Sequence, residues 1–425
     1  MLQKKFMNQV FALALSGSGT VVLQGTTLLL TIAIANIYGP IGLSQFSVTQ
    51  TTMATVAGIS QFGLGYTALN FVARQRSLME AETKSIAQFC LGATLLLSSL
   101  SALAILCISG TIASYIFGNG ILTFFVGLSA IGIPFMALSL VQQSILNGLE
   151  RYMSIFTLSL VSMIVSFAMV FLGSQIAGLE GAAIGLVASV ACRSLLLQFA
   201  IHQSLPLFWN WPSLVTWKRI RSFAIPAGLA SLSLTPSTWF ANAWLIKHAG
   251  LETQGLVFAA LTVRAAVSLV PQQLSTVLLP RYLKSVEASA KHHRRLMIGY
   301  AALFGLTTGL FCIAAYVYRD SVFRFFGEEF YADSTTLFLL LTANIVEALG
   351  MPFSLYYARK ERMWSYLLTF TYPKDLVLVI ASLVFIPVYG GVGIAYAYLV
   401  STVFGFISLA VAQIITYLRR RAAVN

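Results

Sequence analysis

Apolar stretches long enough to cross a bilayer follow one another along almost the whole chain. A transmembrane helix needs about 20 mainly apolar residues. Only 9% of the 425 residues are charged, whereas a soluble chain of this length carries about a quarter. We therefore expect an all-α polytopic membrane protein with twelve transmembrane helices, at 9–37, 43–71, 86–113, 120–148, 152–177, 181–203, 222–247, 254–280, 296–318, 335–358, 364–387 and 391–417.

The basic residues are concentrated in every second connection between these stretches. This bias marks cytoplasmic loops, so both chain ends are predicted to lie in the cytoplasm. The formal net charge of +13 is then a topology signal. Its expected contact is anionic lipid headgroups rather than nucleic acid. The predicted inner side holds 20 of the 26 Lys and Arg residues: Lys4, Lys5, Arg74, Arg76, Lys84, Arg151, Lys218, Arg219, Arg221, Arg281, Lys284, Lys291, Arg294, Arg295, Arg359, Lys360, Arg362, Arg419, Arg420 and Arg421.

Matching polar positions indicate that the two halves of the chain are copies of one six-helix unit. An even number of spans makes such copies parallel, an arrangement found in transporters with a central path between the halves. We predict an N-terminal six-helix bundle at 1–203, a cytoplasmic linker at 204–221 and a C-terminal bundle at 222–425. At a nearly constant displacement of about half the chain, the matches are Thr20, Gln24, Thr27 and Thr31 with Ser231, Thr235, Thr238 and Asn242; Gly181, Gly185 and Ser189 with Gly393, Ala397 and Ser401; and Gly42-Leu43 with Gly255-Leu256.

Spans 1 and 7 each carry one polar stripe along most of their length. Helix–helix packing also favours small and hydroxylated residues, so this alternative stays open for the Ser and Thr positions. An amide that faces lipid is costly. We therefore interpret Gln24 and Asn242 as substrate-binding residues of an aqueous lining.

Five charged residues lie well inside predicted spans: Arg193, Arg264, Glu347, Lys374 and Asp375. A charge at the bilayer centre costs at least about 2.5–3.5 kcal/mol, so such residues usually face a cavity or a partner. Arginine stays protonated and can bind phosphate through two hydrogen bonds. We interpret Arg264, Arg193 and Lys374 as substrate-binding residues, and the carboxylates Glu347 and Asp375 as ion-coupling residues.

Structural explanations of these charges stay open. Arg193 could snorkel or form a structural pair, and Glu347 could form a structural salt bridge. Lys374 and Asp375 are sequence neighbours that do not face each other well on a helix. They either screen each other or pair across to Glu347 or Arg264. In the duplication the charges have neutral counterparts: Arg264 matches Thr51, Lys374 matches Ser162 and Glu347 matches Phe135.

The sequence offers little for catalysis or cofactor binding. The four cysteines and four histidines have no metal-ligand spacing, and the phosphate-binding pattern GxxxxGK[ST] does not occur. We expect no metal site, no cofactor and no enzyme activity. A membrane polysaccharide polymerase or ligase is the enzyme alternative, but it would need a larger outer loop than the one predicted near 319–334.

Several short segments, together with the six-plus-six plan, resemble the polysaccharide/O-antigen flippases (Wzx-type). This family belongs to the multidrug/oligosaccharidyl-lipid/polysaccharide exporter superfamily, which also contains multidrug-and-toxin extruders and lipid II flippases. The resemblance covers nearly the whole length. The segments are Tyr38-Gly39-Pro40, Gly42-Leu43-Ser44-Gln45-Phe46, Gly63-Leu64-Gly65, Ala73-Arg74, Gly178-Leu179-Glu180-Gly181-Ala182-Ala183 and Val277-Leu278-Leu279-Pro280.

The resemblance implies a transporter of undecaprenyl-pyrophosphate-linked oligosaccharide units, as for O-antigen in lipopolysaccharide biosynthesis. They would pass from the cytoplasmic to the periplasmic leaflet of a bacterial inner membrane by alternating access. Implied partners are membrane lipids, a coupling ion (H⁺ or Na⁺), a polysaccharide polymerase and a chain-length regulator. The alternative within the superfamily is a cation-coupled multidrug exporter. Drug extruders usually carry an acidic residue in the first-half spans, whereas the acidic residues in the first half of this chain, Glu80, Glu82, Glu150 and Glu180, fall in loops.

Overall fold

The computed structural model describes residues 2–75, 80–204, 224–225, 228–229, 235–288, 290–330, 334–357 and 367–422. Every regular element within these ranges is helical. The main helices are α1 (Leu2–Ser60), α2 (Leu64–Gln75), α3 (Glu80–Thr111), α4 (Thr123–Gly148), α5 (Tyr152–Ser204), α6 (Thr235–Ala288), α7 (Ala290–Val317), α8 (Arg319–Arg324), α9 (Ser334–Tyr357) and α10 (Tyr372–Ala422). Most of the predicted linker 204–221 lies outside the described residues.

Eight helical stretches in the described ranges are long and apolar enough to cross a membrane. Four of them, within α1, α5, α6 and α10, run to between 41 and 52 residues. At 1.5 Å per residue this is about twice the length that a 30 Å hydrocarbon core requires. Each of these four holds two crossings, because each is interrupted inside. Twelve transmembrane helices result, and the predicted all-α polytopic fold is confirmed.

A glycine in the left-handed region divides each of the four long stretches. The φ angles are 66° at Gly39, 60° at Gly178, 84° at Gly250 and 55° at Gly390. Side chains other than glycine rarely adopt this conformation. Gly250 follows Gly39, and Gly390 follows Gly178, at the same displacement along the chain as the matched polar stripes. The turns therefore carry the same internal repeat, which gives two pseudo-symmetric six-helix bundles.

Close glycine contacts show that α5 folds back on itself at Gly178. A Cβ atom at Gly181 would overlap the carbonyl oxygen of Gly173, and one at Gly185 would overlap that of Met169. In both pairs the two residue numbers have the same midpoint, next to Gly178, as expected for the two arms of an antiparallel hairpin. A Cβ atom at Gly393 in α10 would likewise overlap the carbonyl oxygen of Phe385, so α10 also forms a hairpin.

The first of two compact units comprises Met1–Leu30 and Gly42–Trp239. The start of span 7 is joined to it by Trp239. The indole Nε1 of Trp239 donates to Thr52 Oγ1 at 2.9 Å, and its ring packs edge-on against Phe117 with 5.5 Å between ring centroids. This polar and aromatic contact explains why the segment before Phe240 belongs to this unit.

The second compact unit comprises Thr31–Ile41 and Phe240–Asn425. The outer end of span 1 belongs to it because Asn36 Nδ2 donates to the carbonyl oxygen of Phe325. Gly255 also lies so close to Pro40 that a Cβ atom would overlap the proline carbonyl. The predicted division at 1–203, 204–221 and 222–425 stays a prediction.

Candidate functional site

Three charged side chains from three different helices meet inside the second unit. Arg264 Nη2 on α6 lies 2.9 Å from Glu347 Oε2 on α9. Lys374 Nζ on α10 lies 3.2 Å from Glu347 Oε1. Each carboxylate oxygen therefore binds one cation, and two positive charges share one negative charge. Of the alternatives predicted for Lys374, the structure shows the ion pair with Glu347.

Depth along the helices puts this cluster within the hydrocarbon core. Arg264 lies after the turn at Gly250, Lys374 lies before the turn at Gly390, and Glu347 lies beyond the start of α9 at Ser334. At 1.5 Å per residue each of these three intervals is roughly 20–24 Å, and the core is about 30 Å thick. With the predicted orientation, the cluster lies nearer the cytoplasmic side.

Neighbouring side chains hold Arg264 in place. Its guanidinium carbon lies 4.8 Å from the centroid of the Tyr398 ring, a cation–π distance. Asn344 Nδ2 donates to the Arg264 backbone carbonyl at 3.2 Å, and Ser268 Oγ donates to Asn344 Oδ1 at 2.8 Å. These contacts join α6, α9 and α10 around a single guanidinium group.

Lys374 is held in a similar way. Its Nζ lies 5.6 Å from the centroid of the Phe370 ring, and Ser401 Oγ donates to its backbone carbonyl at 2.8 Å. The next residue in the sequence, the predicted ion-coupling residue Asp375, is 8% exposed and therefore buried. Both cations therefore have fixed backbones and aromatic neighbours.

The three side chains differ in exposure. The side chains of Arg264 and Lys374 are 14% and 12% exposed, whereas that of Glu347 is 40% exposed. The carboxylate is the most exposed of the three side chains, and it binds both cations. The predicted alternative of a structural salt bridge describes this geometry, and ion coupling by Glu347 is kept as a proposal.

Arg193 lies in the first unit with a neutral partner. Its Nη2 atom donates to Gln143 Oε1 of α4 at 2.8 Å. Beside it, Gln142 Nε2 donates to Gln198 Oε1 at 2.9 Å, and Ser194 Oγ donates to Gln142 Oε1 at 3.2 Å. Within the described ranges, no carboxylate lies within salt-bridge distance of Arg193.

The two predicted amide residues lie apart from the charged cluster along the chain. Gln24 is exposed on α1 in the first unit, and Asn242 is partly buried on α6 in the second unit. Asn242 lies before the turn at Gly250, whereas Arg264 lies after it. The role of the two amides in binding substrate stays a prediction.

The sequence interpretation missed several polar partners. Asn344 lies three residues before Glu347 and so on the same helix face, a spacing that could have revealed it. The adjacent pair Gln142-Gln143 stands inside an apolar span, where an unpaired amide is costly. This pair could have been recognised as the partner of a buried cation.

Solved structures of membrane transporters have the same fold. A transporter of the MOP superfamily from Pyrococcus furiosus, described as having a binding pocket of reverse polarity, is 16% identical with a TM-score of 0.68, over 95% of this chain and 95% of its own. A multidrug resistance transporter of the MATE family in the same superfamily matches in its outward-facing conformation with 15% identity and a TM-score of 0.65, over 97% and 96%. An inward-facing structure described in the same terms matches with 14% identity and a TM-score of 0.62, over 93% and 95%.

The chain thus has the fold of the MOP-superfamily transporters. No protein-family model and no curated protein matches it. The likeness is therefore one of architecture, and the chemistry has to be argued from the residues themselves.

Proposed function

We propose that this protein is a flippase that translocates undecaprenyl-pyrophosphate-linked oligosaccharide units, such as O-antigen or a related surface polysaccharide. The units move from the cytoplasmic to the periplasmic leaflet of a bacterial inner membrane by ion-coupled alternating access. The observation that carries the proposal is the cluster of Arg264 and Lys374 around the single carboxylate of Glu347. Among these three groups one positive charge is in excess, at a depth where charge is costly.

An excess positive charge inside the membrane suits a substrate that carries phosphate. Arginine presents a planar fork that matches two phosphate oxygens, and lysine adds a compact point charge. The first unit also holds a cation inside a predicted span, Arg193, which donates to the neutral amide of Gln143. The excess of cations over carboxylates among Arg264, Lys374 and Glu347 favours an anionic substrate over a cationic drug.

The remaining predicted residues complete the proposal. Gln24 and Asn242 would donate and accept hydrogen bonds to sugar hydroxyls. Glu347 and Asp375 would carry the coupling ion, H⁺ or Na⁺. Both chain ends lie in the cytoplasm in this proposal, and a polysaccharide polymerase and a chain-length regulator are the expected protein partners. The transported unit is moved without any covalent change.

Replacement of Arg264 tests the proposal in a flippase-deficient strain. Arg264→Ala should abolish the recovery of surface polysaccharide, and Arg264→Lys should retain part of it, because lysine keeps the charge but loses the fork. Membrane abundance must be equal. Arg151→Ala is the matched control, since Arg151 is exposed in a predicted cytoplasmic connection. Full recovery of surface polysaccharide with Arg264→Ala would show that Arg264 does not bind the pyrophosphate.

Ion coupling is tested separately in proteoliposomes with an imposed pH gradient. If Glu347 or Asp375 carries protons, transport should depend on the gradient. The double variant Glu347→Gln/Asp375→Asn should then lose that dependence. Transport by the double variant that still follows the gradient would count against both residues.

A cation-coupled multidrug exporter is the second candidate. It is favoured by the MATE-family multidrug resistance transporters among the similar solved structures. Dye efflux from cells that express the chain would support this candidate. Absence of efflux, together with recovery of polysaccharide in the flippase-deficient strain, would exclude it.

A further inference from the structure

Glu347 binds two cations that the rest of the unit holds in place. Its side chain is 40% exposed, while those of Arg264 and Lys374 are 14% and 12% exposed. An anion that binds the same atoms of the two cations therefore competes with this carboxylate. To bind them it must take the place of Glu347.

The cations have supports that the carboxylate lacks. Arg264 lies against Tyr398, and its backbone carbonyl accepts a hydrogen bond from Asn344 Nδ2. Lys374 lies against Phe370, and its backbone carbonyl accepts a hydrogen bond from Ser401 Oγ. The hydrogen bonds that the described residues make with the Glu347 side chain come from the two cations themselves. If the ion pairs opened, the cations would stay in position and the carboxylate would be free to turn away.

The helix that carries Glu347 is weakened just beyond it. Pro352 lies inside α9 and is buried. Proline has no backbone N–H, so the carbonyl of Ala348 loses its donor within the helix, and the helix tends to kink there. Gly350 lies between the two positions, and glycine further reduces helix stability. A small change at this point would move Glu347 relative to α6 and α10.

Arg264 also has a hydrogen-bond donor to spare. Its Nε atom is buried and has no hydrogen-bond partner among the described residues. A buried donor without a partner is unfavourable, and a second anionic oxygen beside Nη2 would satisfy it. Neither oxygen of Glu347 binds Nε, since Oε2 lies on Nη2 and Oε1 lies on Lys374 Nζ.

We propose that Glu347 is an internal stand-in for a phosphate group, which displaces it and bridges Arg264 and Lys374. A phosphate carries more oxygens than a carboxylate, so it can bind Lys374 Nζ and both Nη2 and Nε of Arg264 at once. The exchange breaks and forms ion pairs and hydrogen bonds only. This deepens the proposed function, on which it rests, by naming the side chain that the phosphate displaces. The same chemistry could come from a carrier-lipid pyrophosphate or from ordinary phospholipid headgroups.

Calorimetry on purified protein in phosphatidylcholine nanodiscs tests the exchange, with inorganic pyrophosphate as the probe. Glu347→Gln removes the competing charge, so we expect pyrophosphate to bind at least about tenfold more tightly than to the wild type. Lys374→Met added to Glu347→Gln should cancel the gain. Glu180→Gln is the matched control for a lost negative charge, because Glu180 is exposed near the turn at Gly178, and its affinity should equal the wild type.

An unchanged or weaker affinity of Glu347→Gln would overturn the proposal, as would an equal gain in Glu180→Gln. Should Glu347→Gln fail to fold, Lys374→Met alone decides. It removes half of the bridge, so at least a fivefold loss of pyrophosphate binding upholds the exchange, and wild-type affinity overturns it.

Lipid probes distinguish the sources of the phosphate. Tighter binding of undecaprenyl phosphate than of phosphatidylglycerol at equal mole fraction would assign the site to the carrier lipid. Equal binding would assign it to headgroups in general, and with either lipid Glu347→Gln should bind more tightly than the wild type if the phosphate displaces Glu347. If the wild type and the variants bind pyrophosphate in the expected order but the protein moves no lipid-linked oligosaccharide, displacement of Glu347 is upheld and the flippase function is refuted.

Discussion

Removal of single members of the Arg264–Glu347–Lys374 cluster should reduce stability in an order set by the charge left behind. Glu347→Gln leaves two largely buried cations, with side chains 14% and 12% exposed, next to each other without a counter-ion. Lys374→Met leaves the balanced pair of Arg264 and Glu347. Breaking a fully buried ion pair costs about 3–5 kcal/mol. Because Glu347 is 40% exposed, solvent screening reduces this to about 2 kcal/mol. For Lys374→Met we expect less than about 1 kcal/mol.

Thermal unfolding in detergent, followed by the loss of monodisperse protein on size-exclusion chromatography, measures this order. The midpoint of Glu347→Gln should lie a few degrees below that of Lys374→Met, which should lie close to the wild type. The double variant Glu347→Gln/Lys374→Met carries one excess charge, as the wild type does, and should recover part of the loss. If Lys374→Met destabilised the protein as much as Glu347→Gln, the charge argument would be refuted and packing would explain the cluster.

Three further predictions concern contacts elsewhere in the chain. Gly181→Ala should lower the amount of folded protein in membranes by overlapping the Gly173 carbonyl, whereas Gly299→Ala, which meets nothing within 4 Å, should be neutral; equal yields would contradict the hairpin packing. Gln143→Leu should reduce the unfolding midpoint because Arg193 loses its acceptor, at about 1–3 kcal/mol, while Gln143→Glu should preserve it by supplying a carboxylate; the reverse order would show that Arg193 does not depend on this residue. Trp239→Phe should cost about 1 kcal/mol through the lost hydrogen bond to Thr52, and the additional change Thr52→Val should cost little more; additive losses would show that the two side chains act independently.

The number of crossings could be predicted from the sequence because a bilayer imposes one length on every span. An apolar run of about 20 residues has few other uses, and basic residues mark one side. Where the chain turns was less evident. Gly39, Gly178, Gly250 and Gly390 stand between spans with almost no polar loop around them, so α1, α5, α6 and α10 continue as helix through nearly the whole turn. A search for glycines that repeat at the displacement of the polar stripes would have located all four turns.

The charged cluster could be predicted only in part. Helical periodicity places Ser268 on the same face as Arg264, and the cost of buried charge predicts that Lys374 and Glu347 have partners. Periodicity within one helix cannot tell how neighbouring helices are rotated against each other. The contacts of Asn344 and Tyr398 with Arg264 depend on that rotation, as does the contact of Gln143 with Arg193. They became visible only in three dimensions.

The hairpins α5 and α10 are equivalent in the repeat but carry their cations on opposite arms. Arg193 lies on the second arm of α5, and Lys374 lies on the first arm of α10. At the displacement that relates Gly178 to Gly390, Arg193 corresponds to Gly405 and Lys374 corresponds to Ser162. In both hairpins one long cationic side chain is therefore matched with a small residue on the other arm. Packing requires this in α10, because a Cβ atom at Gly405 would lie 3.2 Å from Lys374 Cδ and 2.8 Å from Phe370 Cε2.

Each hairpin thus carries one long cationic side chain, Arg193 in α5 and Lys374 in α10. The partner of that side chain differs between the two units. In the first unit the partner of Arg193 is a neutral amide, and the position equivalent to Glu347 is Phe135. In the second unit the carboxylate of Glu347 binds Lys374 through one oxygen, and its other oxygen can bind a second cation. A second cation, Arg264, could then be kept on α6, where the first unit has Thr51. Among Arg264, Glu347 and Lys374 one positive charge is therefore in excess, whereas an acidic residue that bound Lys374 alone would have given a neutral pair.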